Sequence, residues 1–367
     1  IVLSLENRLS KSVENIIDKE LKRKKDLLRN SKLSKKFEKL VLSGDNFIVN
    51  KGKSKSIIAG YHWFGDWGRD TLISLPGLTL VTNRFDDAKK ILTSFSKYEK
   101  NGLIPNAFME RDSKAVYNTV DASLWYVDRV FQYLKYTNDM DFLKKIWPTL
   151  TEIITGYANG TDFDIKMDED FLISHGPGLT WMDVKINDYY PTPRFRKAVE
   201  IQALWYNALK IMSVFSDKIG KKDIYLDISE KVKKSFNKKY TLSYDVIDTE
   251  DFSVRPNMIF LVSLDFTMIN KKRQKEIVEQ IQNELLTIFG LRTLSPDDQN
   301  YKGYYIGDYN KDVSYHNGIV WPWLMGPFIS SYLKVNKNDE KTRKLAYNKF
   351  LEPMLKVFGE NWDGSIN

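Results

Sequence analysis

The sequence predicts an all-α fold in which helical hairpins are arranged in a ring, an α-toroid. Three observations favour it: about eleven stretches have apolar residues at helical spacing, strand signals are scarce, and short connections alternate with long loops. Hairpins in a ring produce this alternation, because short turns lie at one end of the ring and long loops gather at the other. A helical solenoid would alternate too, but it would not need tryptophan-rich loops on one side, and the chain has no repeat of fixed period.

The elements follow from apolar spacing along the chain. Helices are predicted over 34–48, 71–82, 85–98, 121–137, 140–157, 197–218, 223–240, 255–268, 271–288, 316–335 and 339–358. Short connections are expected at 82–85, 137–140 and 219–223. Long loops rich in Gly, Trp, Tyr, Asp, Asn and Arg are expected after the helices at 34–48, 85–98, 140–157, 223–240 and 271–288. Weak alternation predicts a small hairpin over 163–173 and a short strand over 244–248, both as insertions on the helical frame.

The formal net charge of +8 is concentrated at the start of the chain. Residues 1–40 hold 12 Lys and Arg against 6 Asp and Glu, which gives +6 and leaves +2 for the other 327 residues. Residues 1–33 mix both signs at helical spacing, which is typical of a solvated helix or a connector. We therefore expect residues 1–33 to lead from an upstream domain of the same polypeptide into a helical domain over 34–367, and we expect no nucleic-acid partner. Because the first residue is Ile1 and not Met, we expect the chain to be a fragment.

Composition and missing motifs exclude several kinds of site. No apolar run approaches the ~20 residues that cross a bilayer, so no membrane partner is expected. The chain has no cysteine, which excludes disulfides and thiolate chemistry and suits a reducing compartment, so we expect a cytoplasmic protein. Gly52-Lys53-Ser54 lacks the first glycine of a phosphate loop, and no G-x-S-x-G elbow is present. The three histidines, at 62, 175 and 316, are far apart without an H-E-x-x-H pattern, so we expect no metal and no other cofactor.

Aromatic and charged side chains crowd into residues 61–72, which read YHWFGDWGRDTL. A sugar ring offers flat C–H faces to aromatic side chains and a rim of hydroxyls to fixed donors and acceptors. We expect Trp63, Asp66 and Trp67 to lie at a sugar site. Arg69 and Asp70 would grip hydroxyls of a terminal sugar, although Asp70 could equally cap the helix that starts there.

Two later loops carry a similar combination. In GPGLTWMD, over 176–183, a Gly-Pro-Gly turn presents Trp181 and Asp183. An indole in a partly dry loop disfavours the charged form of a neighbouring carboxyl and raises its pKa, so Asp183 is our candidate general acid; the alternative is a turn aspartate bonded to its own backbone. In SYHNGIVWPWL, over 314–324, the substrate-binding candidates are His316, Asn317 and Trp321.

Six motifs follow one another along the chain: GDWGRDTLISLPGL, NTVDASLW, GLTWMDVK, TPRFRKAVEIQALWYNALK, RPNMIFLVSL and SYHNGIVWPWL. In this order they resemble the amylo-α-1,6-glucosidase domain of glycogen debranching enzymes, the archaeal ones in particular, from about residue 34 to the end. The resemblance implies an (α/α)6 toroid and an α-glucan substrate such as glycogen or limit dextrin. It further implies hydrolysis of the α-1,6-linked glucose at a branch stub, with inversion.

The resemblance also assigns roles by motif. Asp183 takes the place of the family's general acid, and Arg69 and Asp70 match the pair that holds the terminal glucose. Asp121 of NTVDASLW joins the binding residues, and Glu200 of AVEIQALWYN is expected in binding or in support of the site.

One departure concerns the general base. In the family this glutamate directly follows a Gly-Ser-Ile-type stretch, and here the sequence ends at GSIN over 364–367, so the base and a twelfth helix are expected beyond Asn367. Two other functions stay open on the residues alone. One is another toroidal α-glucosidase, trehalase-like or α-1,4-specific and glucoamylase-like, and the other is a glycan-binding module without catalysis.

Overall fold

A computed structural model describes residues 12–62, 64–108, 114–241, 245–249 and 251–360. The helices are α1 Val13–Ser31, α2 Glu38–Asp45, α3 Gly68–Leu75, α4 Phe85–Ser96, α5 Ala122–Thr137, α6 Met140–Asn159, α7 Val199–Lys218, α8 Tyr225–Lys239, α9 Phe260–Ser263, α10 Lys271–Glu284, α11 Asp308–Ser314, α12 Met325–Val335, α13 Glu340–Ala346 and α14 Glu352–Glu360. Wider π-type turns extend α3 over Pro76–Leu80 and join α13 to α14 over Tyr347–Leu351. Turns of 3-10 helix precede α9 over Pro256–Ile259 and α12 over Pro322–Leu324.

The helices form an inner row and an outer row. Helices α3, α5, α7, α9 and α12 pack one against the next, and α4, α6, α8, α10 and α13 pack on their outer sides. Helix α7 belongs to the inner row. Its residues 199–209 are all buried, because this helix has neighbours on every side. Helix α8 buries only one face and turns its lysines to solvent. The prediction of an all-α toroid is confirmed.

The two ends of the ring differ as the sequence predicted. At one end short turns join inner to outer helices, over 81–84, 138–139, 219–224 and 336–339. At the other end long loops carry two-stranded ladders: β3 Ala107–Phe108 with β4 Ala115–Val116, β5 Lys166–Met167 with β6 Ile173–Ser174, β7 Lys197–Ala198 with β8 Val246–Ile247, and β9 Leu291–Arg292 with β10 Val320–Trp321. The hairpin expected over 163–173 and the strand expected over 244–248 are therefore confirmed.

Several boundaries are corrected. A hairpin of β1 Ile48–Lys51 and β2 Ser54–Ile57, with Gly52 at a φ of 57° in its turn, was not predicted. The helix expected from residue 316 begins at Pro322, because Val320 and Trp321 pair with β9. The helix expected over 255–268 ends at Ser263, and the one expected over 271–288 ends at Glu284. Helix α11 was not predicted either.

Helix α1 lies against the ring through ion pairs. Arg23 and Arg84 share the buried carboxylate of Asp45, with Arg23 Nη1 at 3.1 Å and Arg84 Nη1 at 2.6 Å from Oδ1. Asn83 donates to the carbonyl of Asn30 at 2.8 Å. The expected helix in the leading segment is confirmed over Val13–Ser31, and its role as a connector stays a prediction.

No helix within the described ranges combines the length and the apolar character that a bilayer crossing requires.

Candidate active site

A cavity of about 570 Å³ opens at the loop end of the ring. Its lining is apolar and aromatic with two carboxylates and one guanidinium: Phe47, Ile57, Ile58, Ala59, Phe64, Trp67, Arg69, Asp70, Ile73, Ser74, Leu78, Trp181, Asp183, Tyr315, His316, Trp321 and Trp323. Most of the predicted site residues thus meet in one place, although they span the chain from 67 to 321. The mixture of aromatic faces and a few convergent polar groups is that of a ligand site.

The inner helices all begin at this end of the ring. Trp67 precedes α3, Asp121 precedes α5, and Glu200 is the second residue of α7. Free backbone N–H groups give the start of a helix a partial positive charge. Carboxylates are therefore favoured at this end.

Arg69 is the hub of the polar side of the cavity. Its Nε donates to Asp121 Oδ1 at 2.9 Å and Oδ2 at 2.8 Å, and its Nη1 donates to Asp183 Oδ2 at 2.9 Å. Its Nη2 donates to Thr119 Oγ1 at 3.1 Å and to the carbonyl oxygens of residues 179 and 180 at 3.3 and 3.1 Å. The guanidinium that the sequence assigned to sugar hydroxyls thus reaches the cavity while it joins the start of α3 to two loop segments, 119–121 and 179–183.

Asp183 and Asp70 are the carboxylates that line the cavity. Loss of hydration raises the pKa of Asp183, and the nearby Asp121 charge adds to this, whereas Arg69 acts to lower it; the net shift is upward. The pKa of Asp70 is likewise raised, by desolvation first, against the opposing effect of Arg69. Asp70 is the third residue of α3, and a hydrogen bond from its own backbone N–H also acts to lower this pKa.

Trp181 stands at the centre of an aromatic wall. Its ring meets those of His316, Trp321 and Trp323 edge-on, with centroid distances of 5.4, 5.8 and 5.2 Å. Its Nε1 donates to Asn257 Oδ1 at 2.7 Å. The indole is therefore fixed in orientation, two residues before Asp183.

A second buried ion-pair network lies behind this wall. Arg194 donates to both carboxylate oxygens of Glu200 at 2.5 Å and to Asp245 Oδ1 at 3.1 Å. Asn257 Nδ2 donates to the same Asp245 oxygen at 2.9 Å, and Arg194 Nη1 donates to Thr180 Oγ1 at 3.1 Å. Glu200 is 2% exposed and lies outside the cavity lining, and both of its carboxylate oxygens accept from Arg194.

The neighbouring residues His316 and Asn317 have different surroundings in the structure. His316 lines the cavity, and burial with three nearby arginines lowers its pKa well below the usual value, so the imidazole is neutral. Asn317 lies outside the lining, where its Oδ1 accepts from Arg255 Nη2 at 2.9 Å and its Nδ2 donates to the carbonyl of Val313 at 3.0 Å.

Two other predicted residues do not line the cavity. Asp66 accepts from Lys51 Nζ at 2.6 Å and Ser56 Oγ at 3.0 Å, so it holds the β1–β2 hairpin beside Trp67. Asp121 is 2% exposed and reaches the cavity only through Arg69. Trp63 and the GSIN stretch lie outside the described residues.

The sequence reasoning missed several contributors. Tyr315 stands inside the motif that supplied His316 and Trp321, so its aromatic character was the available signal. Arg194 and Asp245 gave no signal, because partners 51 residues apart leave no local pattern.

The chain is similar to known proteins over most of its length. The family model described as Amylo-alpha-1,6-glucosidase matches residues 42–366. The glycogen debranching enzyme of Saccharomyces cerevisiae is 23% identical over 403 aligned positions, which cover 78% of this chain and 26% of that protein. The chain thus spans about a quarter of the length of this relative. A rhamnosidase from Klebsiella oxytoca with rhamnose bound aligns with a TM-score of 0.48 and 14% identity over 77% of this chain and 48% of that one. Because the family match takes in nearly the whole ring and its cavity, the chain belongs to the amylo-alpha-1,6-glucosidase family of glycoside hydrolases.

Proposed function

We propose that this chain releases glucose from α-1,6-linked branch stubs of glycogen or a related α-glucan, with inversion at the anomeric carbon. The observation that carries the proposal is the meeting of Asp183, Asp70 and Arg69 with the Trp181 wall in one cavity. Aromatic faces suit the C–H faces of a pyranose, and the two carboxylates suit its hydroxyls and its glycosidic oxygen.

Asp183 would act as the general acid. Arg69 occupies its Oδ2, which directs the acidic proton to Oδ1. The raised pKa keeps more of this carboxyl protonated than an exposed aspartate would be at the same pH. The proton would pass from Oδ1 to the glycosidic oxygen as the bond to the anomeric carbon breaks. Inversion also requires a carboxylate on the opposite face that activates water, about 6.5–9.5 Å from the acid.

The first prediction tests the acid. Asp183→Asn removes the transferable proton but keeps the shape and the bond to Arg69, so we expect glucose release from a 6-O-glucosyl-branched dextrin to fall by about 10²–10⁴-fold. Oligosaccharide binding and the circular dichroism spectrum should be retained. Asp188→Asn is the matched control, because Asp188 is fully exposed on the same loop. Near-normal turnover by Asp183→Asn in the full-length protein would refute the assignment.

Substrate comparison tests the linkage. Glucose release from the branched dextrin should exceed release from maltose and from trehalose, and the first product detected by NMR should be β-glucose. Preference for maltose or trehalose would instead indicate another toroidal α-glucosidase. Binding without any release would indicate a glycan-binding module.

A further inference from the structure

The loop over 301–307, which reads YKGYYIG, exposes large side chains beside the cavity. Tyr304 is 80% exposed, Ile306 69% and Tyr305 43%. Clustered exposed aromatic and apolar groups are uncommon on a protein surface unless they bind something.

The root of this loop is fixed. The N–H of Lys302 donates to the carbonyl of Asn317 at 2.6 Å, and the hydroxyl of Tyr301 accepts from Arg292 Nε at 3.3 Å. A Cβ on Gly318 would lie 2.4 Å from the carbonyl oxygen of Lys302, so the two backbone segments touch. The loop therefore leaves the protein directly beside His316 and Asn317, and its tip with Tyr304 projects from a defined base.

A series of rings connects the loop to the cavity. The ring centroid of Tyr305 is 5.7 Å from that of Tyr315, and Tyr315 is 5.0 Å from Trp321. Tyr315 and Trp321 both line the cavity. Burial raises the pKa of Tyr315, with smaller contributions from Tyr305, Asp183 and Asp70. Tyr305 is thus joined through Tyr315 to the rings that line the cavity.

We propose that Tyr304 and Tyr305 form a binding surface for the α-glucan chain that carries the branch stub. The inference rests on the proposed function: if the terminal glucose occupies the cavity with its glycosidic oxygen at Asp183, the rest of the polymer must leave through the cavity mouth. Tyr315 and then Tyr305 lie on the way out. Tyrosine rings offer flat faces for pyranose C–H groups at a small cost in side-chain entropy, since only two torsions are fixed.

The test compares a substrate that has a glucan chain with one that lacks it. Tyr304→Ala and Tyr305→Ala should each raise KM for the branched dextrin by about 3- to 10-fold, in line with the strength of aromatic contacts, and the double variant should raise it further. Hydrolysis of α-glucosyl fluoride, which has no chain, should stay unchanged, and so should kcat on dextrin, because contacts kept from ground state to transition state act on KM alone. The Tyr→Phe variants keep the ring and should behave as wild type.

Tyr136→Ala is the matched control. Tyr136 is 49% exposed and lies at the far end of α5, about 20 Å from its site end at 1.5 Å per residue. Tyr136→Ala should leave KM for the branched dextrin and the hydrolysis of α-glucosyl fluoride unchanged.

The outcomes separate this inference from the proposed function. Wild-type KM for dextrin in the double variant, with normal fluoride hydrolysis, would overturn the glucan surface and leave the enzyme assignment standing. Absence of glucose release from both substrates by the wild-type protein would overturn the enzyme assignment. The surface would then be judged by calorimetry with maltoheptaose: weaker binding by the double variant supports it, and equal binding overturns it. Circular dichroism checks that all variants are folded.

Discussion

Arg69 and Asp70 are adjacent in sequence but have different surroundings. Successive residues of a helix point about 100° apart, so the two side chains leave α3 in different directions although both line the cavity. The motif predicted that both lie at the site, and the structure places both in the cavity lining. The motif could not predict that the guanidinium of Arg69 binds Asp121, 52 residues away, and Asp183, 114 residues away, because such pairs form only when the ring closes.

The second prediction concerns the carboxylates of Asp121 and Asp183. The negative charge of Asp121 raises the pKa of Asp183 and also occupies Arg69, which otherwise acts to lower that pKa. Asp121→Asn therefore lowers the pKa of Asp183 on both counts. A general acid is active while protonated, so the alkaline limb of the pH profile of kcat/KM should move to lower pH.

The control for this profile is Asp139→Asn. Asp139 caps α6 at the short-turn end of the ring and accepts from Lys89, so the variant should keep the wild-type pH profile even if its stability falls. An alkaline limb of Asp121→Asn that stays in place, or that moves to higher pH, would contradict the role assigned to Asp183.

At the scale of elements, the start of α3 sets the position of the site. A Cβ on Gly68 would lie 1.9 Å from the carbonyl oxygen of Pro105, and the N–H of Gly68 donates to the carbonyl of Asn106 at 2.6 Å. The loop before β3 thus touches the backbone of α3 one residue before Arg69. The sequence shows the glycine, but it does not show that the backbone of Pro105 packs against it.

The third prediction follows from that contact. Gly68→Ala forces α3 away from Pro105, and we expect a loss of about 1–3 kcal/mol in the free energy of unfolding, with a large fall in kcat/KM because Arg69 and Asp70 are displaced. Gly77→Ala is the control: it lies in the turn that extends α3, and its Cβ would have no heavy atom within 4 Å. Urea unfolding should show the Gly77 variant unchanged or more stable by up to about 1 kcal/mol. Equal stability of the two variants would refute the packing argument.

The elements themselves were predictable to different degrees. Helices such as α5 and α6 have a strong apolar period and were predicted within two residues of their bounds. The ladders were mostly missed, because two-residue strands such as Val320–Trp321 form by pairing with a distant segment and have little local signal.

At the scale of the whole molecule, buried polar groups pin the long loops to the ring. Arg194 alone joins Thr180, Glu200 and Asp245, which belong to separate segments. His175 lies in the same region, 3% exposed, and its Nδ1 bonds the carbonyl of Gly176 at 2.7 Å. The alternation of turn lengths predicted that distant loops converge, but it could not show which charges become partners.

The fourth prediction concerns stability in acid. Burial lowers the pKa of His175 to about 4, from an ordinary value of 6.5. Between these values the unfolded chain binds a proton that the folded chain does not, so the free energy of unfolding falls as the pH drops from 6.5 to 4, by about 3 kcal/mol from this group. Denaturant titrations at several pH values in this window would measure the slope.

A variant isolates the share of this histidine. His175→Asn keeps an N–H donor near Nδ1 but does not titrate, so its stability should fall less steeply over the same window. Identical slopes for His175→Asn and wild type would show that other groups govern the acid sensitivity.

Because the two ends of the ring differ, the protein can be attached to a surface through one end while the cavity at the other end stays accessible. The turn after α7 contains Gly220, at a φ of 66° with no heavy atom within 4 Å of a would-be Cβ, followed by exposed Lys221 and Lys222. An anchor or a dye attached at these amines would sit on the face turned away from the cavity. A bead or electrode coated in this way would present the mouth to the medium, where even particles as bulky as a polysaccharide granule could reach it.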